Sequence, residues 1–521
     1  MKSNRILVPW IVVPVLAGLV WTVAFLSMGG HEYCDGLHYA ANAATLSRDL
    51  HAEPQLDWEG FINHAEELGT PHPYVNHLYT LSLALVQSAF SRPEIWQGSL
   101  LSLTFALMGS AFTWMLMRRF LPIQEALLVL VVTLTSCMAW STLARPLTDA
   151  PFFGLTSLTL WYGLQTRKAL PTGLLIGLSC VFRMQGVYTF LLMPLLVCER
   201  LTLYNVVRVW FLMGLGVLPF AALYLFLASA FGPAAGQAVP SSLYMDKWIH
   251  FYSTIKPDQY FFNVNKSLGE LMHLNVLSPL LIPAGAALFV RLRDKAANRL
   301  ALLAFASIAL IMLTTCTAGS VPTRYYLPYL PLVLLAAWLM LREHADLLPG
   351  RLRSLLPWAL FLTVGLFGTA TLAAQVPKMS LQNVGRPYSN AFHAVLHEFG
   401  PNQALAGNEP RLLLLSFSGR KLVQLPCAPQ AFLQQSKRNQ ELAGLVFVLN
   451  RLQLDPSLER KPWKARQTWD GNCGPPDCWA AWEQLLSQEE IIDASGNRFH
   501  KVLDQCDWLE RRVVFVRQEQ E

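Results

Sequence analysis

Asp35 lies just beyond the first apolar run, Ile6 to Met28, within Gly29-Gly30-His31-Glu32-Tyr33-Cys34-Asp35-Gly36-Leu37-His38-Tyr39. A carboxylate at the foot of an apolar segment can meet both a membrane-borne and a water-borne reactant. Partial burial there raises a carboxyl pKa toward the range of a general base. Taken alone, a solvated loop acid explains Asp35 as well. The stretch from Gly29 to Phe90 is unusually polar for this chain, with six of its twelve histidines and with Glu32, Asp49, Glu53, Asp57, Glu59, Glu66 and Glu67.

Three isolated arginines shift the balance. Arg145 stands in Ala144-Arg145-Pro146-Leu147-Thr148-Asp149, Arg183 in Phe182-Arg183-Met184-Gln185-Gly186, and Arg324 before Tyr325 in Val321-Pro322-Thr323-Arg324-Tyr325. Each is the single basic residue of a short connection between apolar runs, on the side where positive charge is disfavoured. A guanidinium offers a planar fork of donors that matches phosphate oxygens, so three on one rim point to a phosphate site. Snorkelling to lipid headgroups is the plain alternative for any one of them. Lys266, in a second polar stretch with Tyr244, Asp246, Lys247, Trp248 and Tyr260, is a further phosphate candidate. That stretch reads equally as a lid or as an interfacial aromatic belt.

His31, His38 and His77, with Glu32, Asp35 and His72, supply nitrogen and oxygen ligands that admit a divalent cation, but their spacing is loose and does not demand one. No cofactor is required by any motif. Glycine-rich nucleotide loops and Walker motifs are absent from the sequence.

The elements that position these residues are membrane spans. The chain has 521 residues, 53% of them hydrophobic and only 14% charged, with a mean hydropathy of +0.34. Soluble domains carry about 25% charged residues, so this is a polytopic α-helical membrane protein. The net charge of +6 comes from basic clusters between apolar runs, not from a nucleic-acid surface. Lys2 and Arg5 precede a first run too long for a secretory signal, which reads as a retained span with a cytoplasmic N-terminus. Tyr74 to Phe90 is short and polar and reads as interfacial. About eleven spans follow the positive-inside pattern: Ile6–Met28, Ile95–Met117, Gln124–Leu143, Ala150–Gln165, Leu170–Phe182, Val187–Cys198, Val209–Phe231, Val276–Val290, Leu300–Cys316, Tyr325–Leu341 and Leu355–Ala374. Residues 1–375 thus form a transmembrane domain with outer loops 29–94 and 232–275.

From Val376 charges, prolines and tryptophans return. Helical spacing over Arg386–Phe399 and strand-like runs at Gly444–Leu449 and Val513–Val516 suggest a small α/β domain over 376–521, outside the membrane. Cys427, Cys473, Cys478 and Cys506 form an even set that suggests two disulfides in an oxidising compartment; a zinc site lacks a second matched pair.

Asp35-Gly36-Leu37-His38-Tyr39, Thr70-Pro71-His72-Pro73-Tyr74, Leu147-Thr148-Asp149-Ala150-Pro151 and Arg324-Tyr325-Tyr326-Leu327-Pro328-Tyr329-Leu330-Pro331 together resemble the GT-C superfamily over roughly residues 1–375. These are integral-membrane glycosyltransferases using polyprenyl-phosphate-linked sugars, such as protein O-mannosyltransferases and lipid A aminoarabinose transferases. The resemblance implies that Asp35 is the catalytic acid, with Tyr39 matching the family's tyrosine. Gly36 replaces the second acid of the family pattern, which leaves Glu32 or Asp149 as assistants. It also implies a donor phosphate held by Arg324, Arg183, Arg145, Lys266 and Tyr325, in an enzyme of the bacterial inner membrane with a periplasmic C-terminal domain. The expected reaction moves a sugar to a hydroxyl of an extracytoplasmic lipid, glycan or protein. A transporter or flippase for a lipid-linked glycan, and a membrane-anchored glycan-binding protein, are the competing readings.

Overall fold

The computed structural model describes residues 4–28, 39–40, 43–44, 46–47, 56–57, 77–90, 95–145, 147–230, 257–272, 278–290, 292–316, 323–344, 351–380, 395, 398–399, 403–407, 422–425, 429–434, 439–450, 477–506 and 510–518. The chain divides into two units. One takes Met1–Gly30, Asn76–Tyr79 and Gly98–Ser380; the other takes His31–Val75, Thr80–Gln97 and Leu381–Glu521.

The first unit is helical. Its helices are α1 (Asn4–Met28), the start of α2 (His77–Ser88), most of α3 (Ile95–Met117), α4 (Ile123–Thr135), α5 (Cys137–Leu143), α6 (Asp149–Thr166), α7 (Ala169–Phe182), α8 (Gly186–Leu192), α9 (Pro194–Val197), α10 (Leu203–Ala230), α11 (Pro257–Met272), α12 (Ser278–Phe289), α13 (Lys295–Thr315), α14 (Leu330–Glu343) and α15 (Arg351–Ser380). Among the described residues three helices are long and apolar enough to cross a bilayer by length and composition alone: Gln97–Met117, Leu203–Leu227 and Lys295–Thr315. Others are apolar but shorter, including Ile123–Thr135, Ala169–Phe182 and Leu355–Thr371. Only 11% of the apolar stretch of α10 is buried, and Phe211, Leu218, Leu225 and Phe226 are exposed along it. A face of that size is tolerable only against lipid, so the unit is that of an integral membrane protein.

Two expected spans are interrupted. Gln124–Leu143 becomes α4 and α5, because Ser136 leaves helical geometry at φ −63°, ψ 143°. Its hydroxyl donates to the carbonyl of Thr133 at 2.6 Å and accepts from the Ala139 amide at 3.2 Å, satisfying groups that the broken ladder would orphan. Val187–Cys198 likewise becomes α8 and α9, where Pro194 removes an amide donor.

Glycines set the closest crossings, as expected where lipid gives helices no hydrophobic reason to associate and small residues allow backbone approach. A Cβ on Gly173 of α7 would stand 2.2 Å from the carbonyl oxygen of Met213 on α10, and one on Gly216 would stand 2.4 Å from that of Leu170. At the end of the bundle holding the short basic connections, arginines satisfy helix-terminal carbonyls. Arg118 donates to Leu121 O at 2.5 Å, Arg119 to Leu164 O at 3.1 Å, and Arg299 to Cys198 O at 2.5 Å and Glu199 O at 3.0 Å. Glu125 on α4 accepts from both Trp338 Nε1 at 2.7 Å and Arg342 at 3.0 Å, tying α4 to α14.

The second unit is built on a seven-stranded sheet in the order β1-β3-β2-β4-β7-β6-β5, where β1 is Leu56–Asp57, β2 Ala404–Gly407, β3 Leu422–Gln424, β4 Leu442–Asn450, β5 Glu490–Ile492, β6 Arg498–Cys506 and β7 Glu510–Arg517. The first four in that order run parallel, and β7, β6 and β5 continue antiparallel. The strands expected at Gly444–Leu449 and Val513–Val516 are β4 and β7. The remote piece Leu56–Asp57 supplies an edge strand, which no two-residue pattern could announce. Helices α16 (Pro429–Gln434) and α17 (Asp477–Leu486) cover a core in which Phe432, Phe447, Trp482, Phe499 and Phe515 are fully buried. The Arg511 guanidinium, bonded to both oxygens of Asp504 at 3.0 and 2.8 Å, holds that carboxyl below its ordinary range. The helix expected over Arg386–Phe399 lies almost wholly outside the described residues. So do Cys427, Cys473 and the side chains of Cys478 and Cys506.

The glycine crossings generate a test on one helix. Gly216→Ala should lower the thermal midpoint of the purified protein, through a clash worth about 1–3 kcal/mol. Gly214→Ala, where a Cβ meets nothing within 4 Å, should leave it equal or higher because alanine favours helix by about 1 kcal/mol. Equal responses in a thermal-shift series would remove the close-crossing explanation.

Candidate functional site

Three helix-end turns of the first unit bring Asp149, Arg183 and Arg324 together. Asp149 opens α6, where the helix N-terminus favours a carboxylate. Arg183 is the C-cap of α7, with extended backbone at φ −157°, ψ 119°. Its amide donates to Ser179 O at 2.8 Å and its carbonyl accepts from the Gly186 amide at 3.0 Å. Glycine is needed at 186 because a Cβ would lie 2.9 Å from Cys180 Sγ and 3.1 Å from its amide nitrogen. Arg324 sits in the 3-10 turn Thr323–Tyr326 that leads into α14, and Pro331, in the first turn of α14, occupies a position where no amide donor is needed.

The geometry is a shared ion pair. Arg183 Nη1 lies 2.9 Å and Arg324 Nε 3.5 Å from the same oxygen, Asp149 Oδ2. Asp149 is 1% exposed and each arginine 8%. Arg183 Nη1 also donates to the Thr148 hydroxyl at 2.7 Å. The half-buried Tyr325 ring lies beneath both guanidiniums, with the Arg183 Cζ 4.2 Å and the Arg324 Cζ 5.7 Å from its centroid, within the range of cation–π attraction. Two guanidiniums and one carboxylate thus meet in an apolar surround. Asp149 Oδ1 and Arg183 Nε are buried and make no hydrogen bond among the described residues. Such a cluster can receive an anion with two or more oxygens, and phosphate matches the fork of each guanidinium.

Of the phosphate-binding residues expected from sequence, Arg183, Arg324 and Tyr325 thus converge, and Asp149 joins them as their counter-ion. Arg145 is half-buried in the turn before α6, and its carbonyl accepts from the Ser102 hydroxyl. Lys266 is exposed on α11. That helix is pinned to the end of α13 through Asn263, which donates to Cys316 O at 2.8 Å, and Tyr260, which donates to Leu313 O at 3.0 Å. Asp35, Glu32, His31, His38 and His72 lie outside the described residues, as does the side chain of His77. Tyr39 is buried within the second unit. No group of His, Cys, Asp and Glu able to hold a metal occurs among the described residues. Thr148 was not singled out by sequence reasoning, although its place immediately before a helix-opening aspartate is a recognisable signal.

No protein-family model matches the sequence, and none of the curated proteins matches it. Among solved structures, the chain is similar to ArnT from Cupriavidus metallidurans bound to undecaprenyl phosphate, with a TM-score of 0.55 at 14% identity over 97% of each chain. The apo state of the same protein matches with a TM-score of 0.55 at 15% identity, over 99% of this chain and 98% of that one.

Breaking the shared ion pair should be costly. Arg183→Ala leaves a buried carboxylate short of a partner and should destabilise by about 3–5 kcal/mol. Arg167→Ala removes one side of an exposed pair with Glu199, whose side chains are 41% and 78% exposed, and should cost under about 1 kcal/mol. Thermal unfolding of both variants in the same detergent checks the difference; equal losses would mean that the buried cluster is not under the stated electrostatic constraint.

Proposed function

The chain has a GT-C-type fold, and from that premise we propose that it is a glycosyltransferase moving a sugar from a polyprenyl-phosphate donor to a hydroxyl of an extracytoplasmic acceptor. The observation that carries this reading is the convergence of Arg183, Arg324 and Tyr325 on Asp149, in a fold whose solved counterpart was crystallised with undecaprenyl phosphate. In this reading the acceptor oxygen attacks the anomeric carbon as the bond from that carbon to the phosphate oxygen breaks. The phosphate keeps the electron pair, and the acceptor proton passes to Asp35. The guanidiniums oppose the charge that develops on the departing phosphate, an electrostatic contribution that requires no covalent intermediate.

About eleven spans, a cytoplasmic N-terminus and a periplasmic C-terminal domain in a bacterial inner membrane complete the proposal. The end of the bundle rich in Arg118, Arg119, Arg167, Arg299 and Arg342 would then face the cytoplasm, in keeping with the positive-inside bias. The sheet unit would contribute to acceptor recognition, with disulfides among its cysteines. No metal is needed for the step as written.

The reaction is tested with purified protein in nanodiscs, a panel of polyprenyl-phosphate hexoses, pentoses and amino sugars, and envelope extract as acceptor, following release of polyprenyl phosphate. Asp35→Asn should lower the transfer rate by about 10²–10⁴-fold, the usual contribution of a positioned base. A parental rate in that variant would remove Asp35 from the mechanism.

A further inference from the structure

Thr148 stands at the N-cap of α6 yet does not cap it. Its side chain makes no hydrogen bond to the amides of the helix's first turn, the usual task of a threonine in that place. Instead the hydroxyl, on a residue only 3% exposed, accepts from Arg183 Nη1 at 2.7 Å. A cap bond is forgone and an arginine is held. Departures of this kind from a local rule concentrate at functional sites.

The partners of Arg183 divide its guanidinium into two parts. Nη1 faces Asp149 Oδ2 at 2.9 Å and the Thr148 hydroxyl at 2.7 Å, so a partner is present for each of the two hydrogens that this nitrogen carries. Neither Nε, which is buried, nor Nη2 makes a hydrogen bond among the described residues. In a planar guanidinium the Nε hydrogen and one Nη2 hydrogen leave the same edge in parallel, forming the fork that meets two oxygens of one carboxylate or phosphate. That edge is the part of Arg183 left for a ligand. A buried donor with no acceptor is costly, and an arriving oxygen removes the cost.

We propose that Thr148 is a positioning residue for the donor phosphate: by taking the Nη1 corner of Arg183 together with Asp149, it reserves the Nε–Nη2 edge for two phosphate oxygens. This rests on the reading of Arg183 as part of the phosphate seat. Thr148 acts through the arginine and does not touch the reacting atoms. Without its hydroxyl, the guanidinium is free to turn about its long stem, and the fork is no longer set in advance.

Equilibrium binding to the full chain in nanodiscs tests it, with undecaprenyl phosphate as the probe and undecaprenol, which has the same chain and no phosphate, as the control. Thr148→Val keeps the shape and removes the hydroxyl. It should weaken undecaprenyl phosphate by about tenfold, the scale of one hydrogen bond to a charged group, and leave undecaprenol unchanged. Thr148→Ser, which restores the hydroxyl, should bind undecaprenyl phosphate within about threefold of the parent. Thr148→Ala takes the place of the valine variant if that one fails to fold. Parental binding of undecaprenyl phosphate without the hydroxyl, an equal loss of both ligands, or a serine variant as weak as the valine one would each overturn the positioning role. Parental preference for undecaprenyl phosphate over undecaprenol in folded Arg183→Gln would instead overturn the phosphate reading itself.

Discussion

Three charges enclosed in an apolar bundle constrain the rest of the first unit. Asp149, Arg183 and Arg324 come from connections far apart in sequence, and each would be intolerable in that setting alone. Their mutual compensation requires three helix ends to meet within ion-pairing distance, so the cluster fixes where α6, α7 and the turn before α14 begin and end. Helix-end electrostatics work in the same direction, with the carboxylate at the N-terminus of α6 and a cation at the C-terminus of α7. The tight turn at Gly186 and the prolines after Arg324 then set the direction of the departing chain.

The two ends of the bundle use arginine differently. At one end guanidiniums are directed to helix-terminal carbonyls and to exposed or half-exposed carboxylates such as Glu199 and Glu125. At the other they converge on one carboxylate and one tyrosine ring. The first arrangement closes the hydrogen-bond needs of the backbone. The second gathers two guanidiniums around one buried carboxylate, and that difference separates the two ends. Close glycine crossings between α7 and α10 supply the rigidity that keeps the converging end in register.

Much of this was legible in the sequence for definable reasons. The apolar helices of the first unit follow from composition and from runs of apolar residues. Arg183 and Arg324 stood out because each is a lone basic residue where positive charge is disfavoured, and both belong to the cluster. From sequence Asp149 reads only as an assistant to a loop acid, because one-dimensional sequence cannot show that two arginines 34 and 175 positions later close upon it. Ser136 and Pro194 are visible in the sequence, but a serine inside an apolar run gives no sign that it caps a new helix, and whether a proline kinks or divides a helix depends on the backbone around it. In the sheet unit, the periodic strands Leu442–Asn450 and Glu510–Arg517 were visible, whereas the edge strand Leu56–Asp57 is too short to carry a pattern.

The central claim is that Arg183 and Arg324 form the phosphate seat of a polyprenyl-phosphate-dependent transferase. Its most direct test is a cryo-electron microscopy map of the full chain in lipid nanodiscs with undecaprenyl phosphate. The account predicts phosphate density bonded to both guanidiniums at about 2.7–2.9 Å, with Asp149 still between them. Well-defined phosphate density elsewhere on the protein, with the Asp149 cluster closed and unliganded, would contradict it.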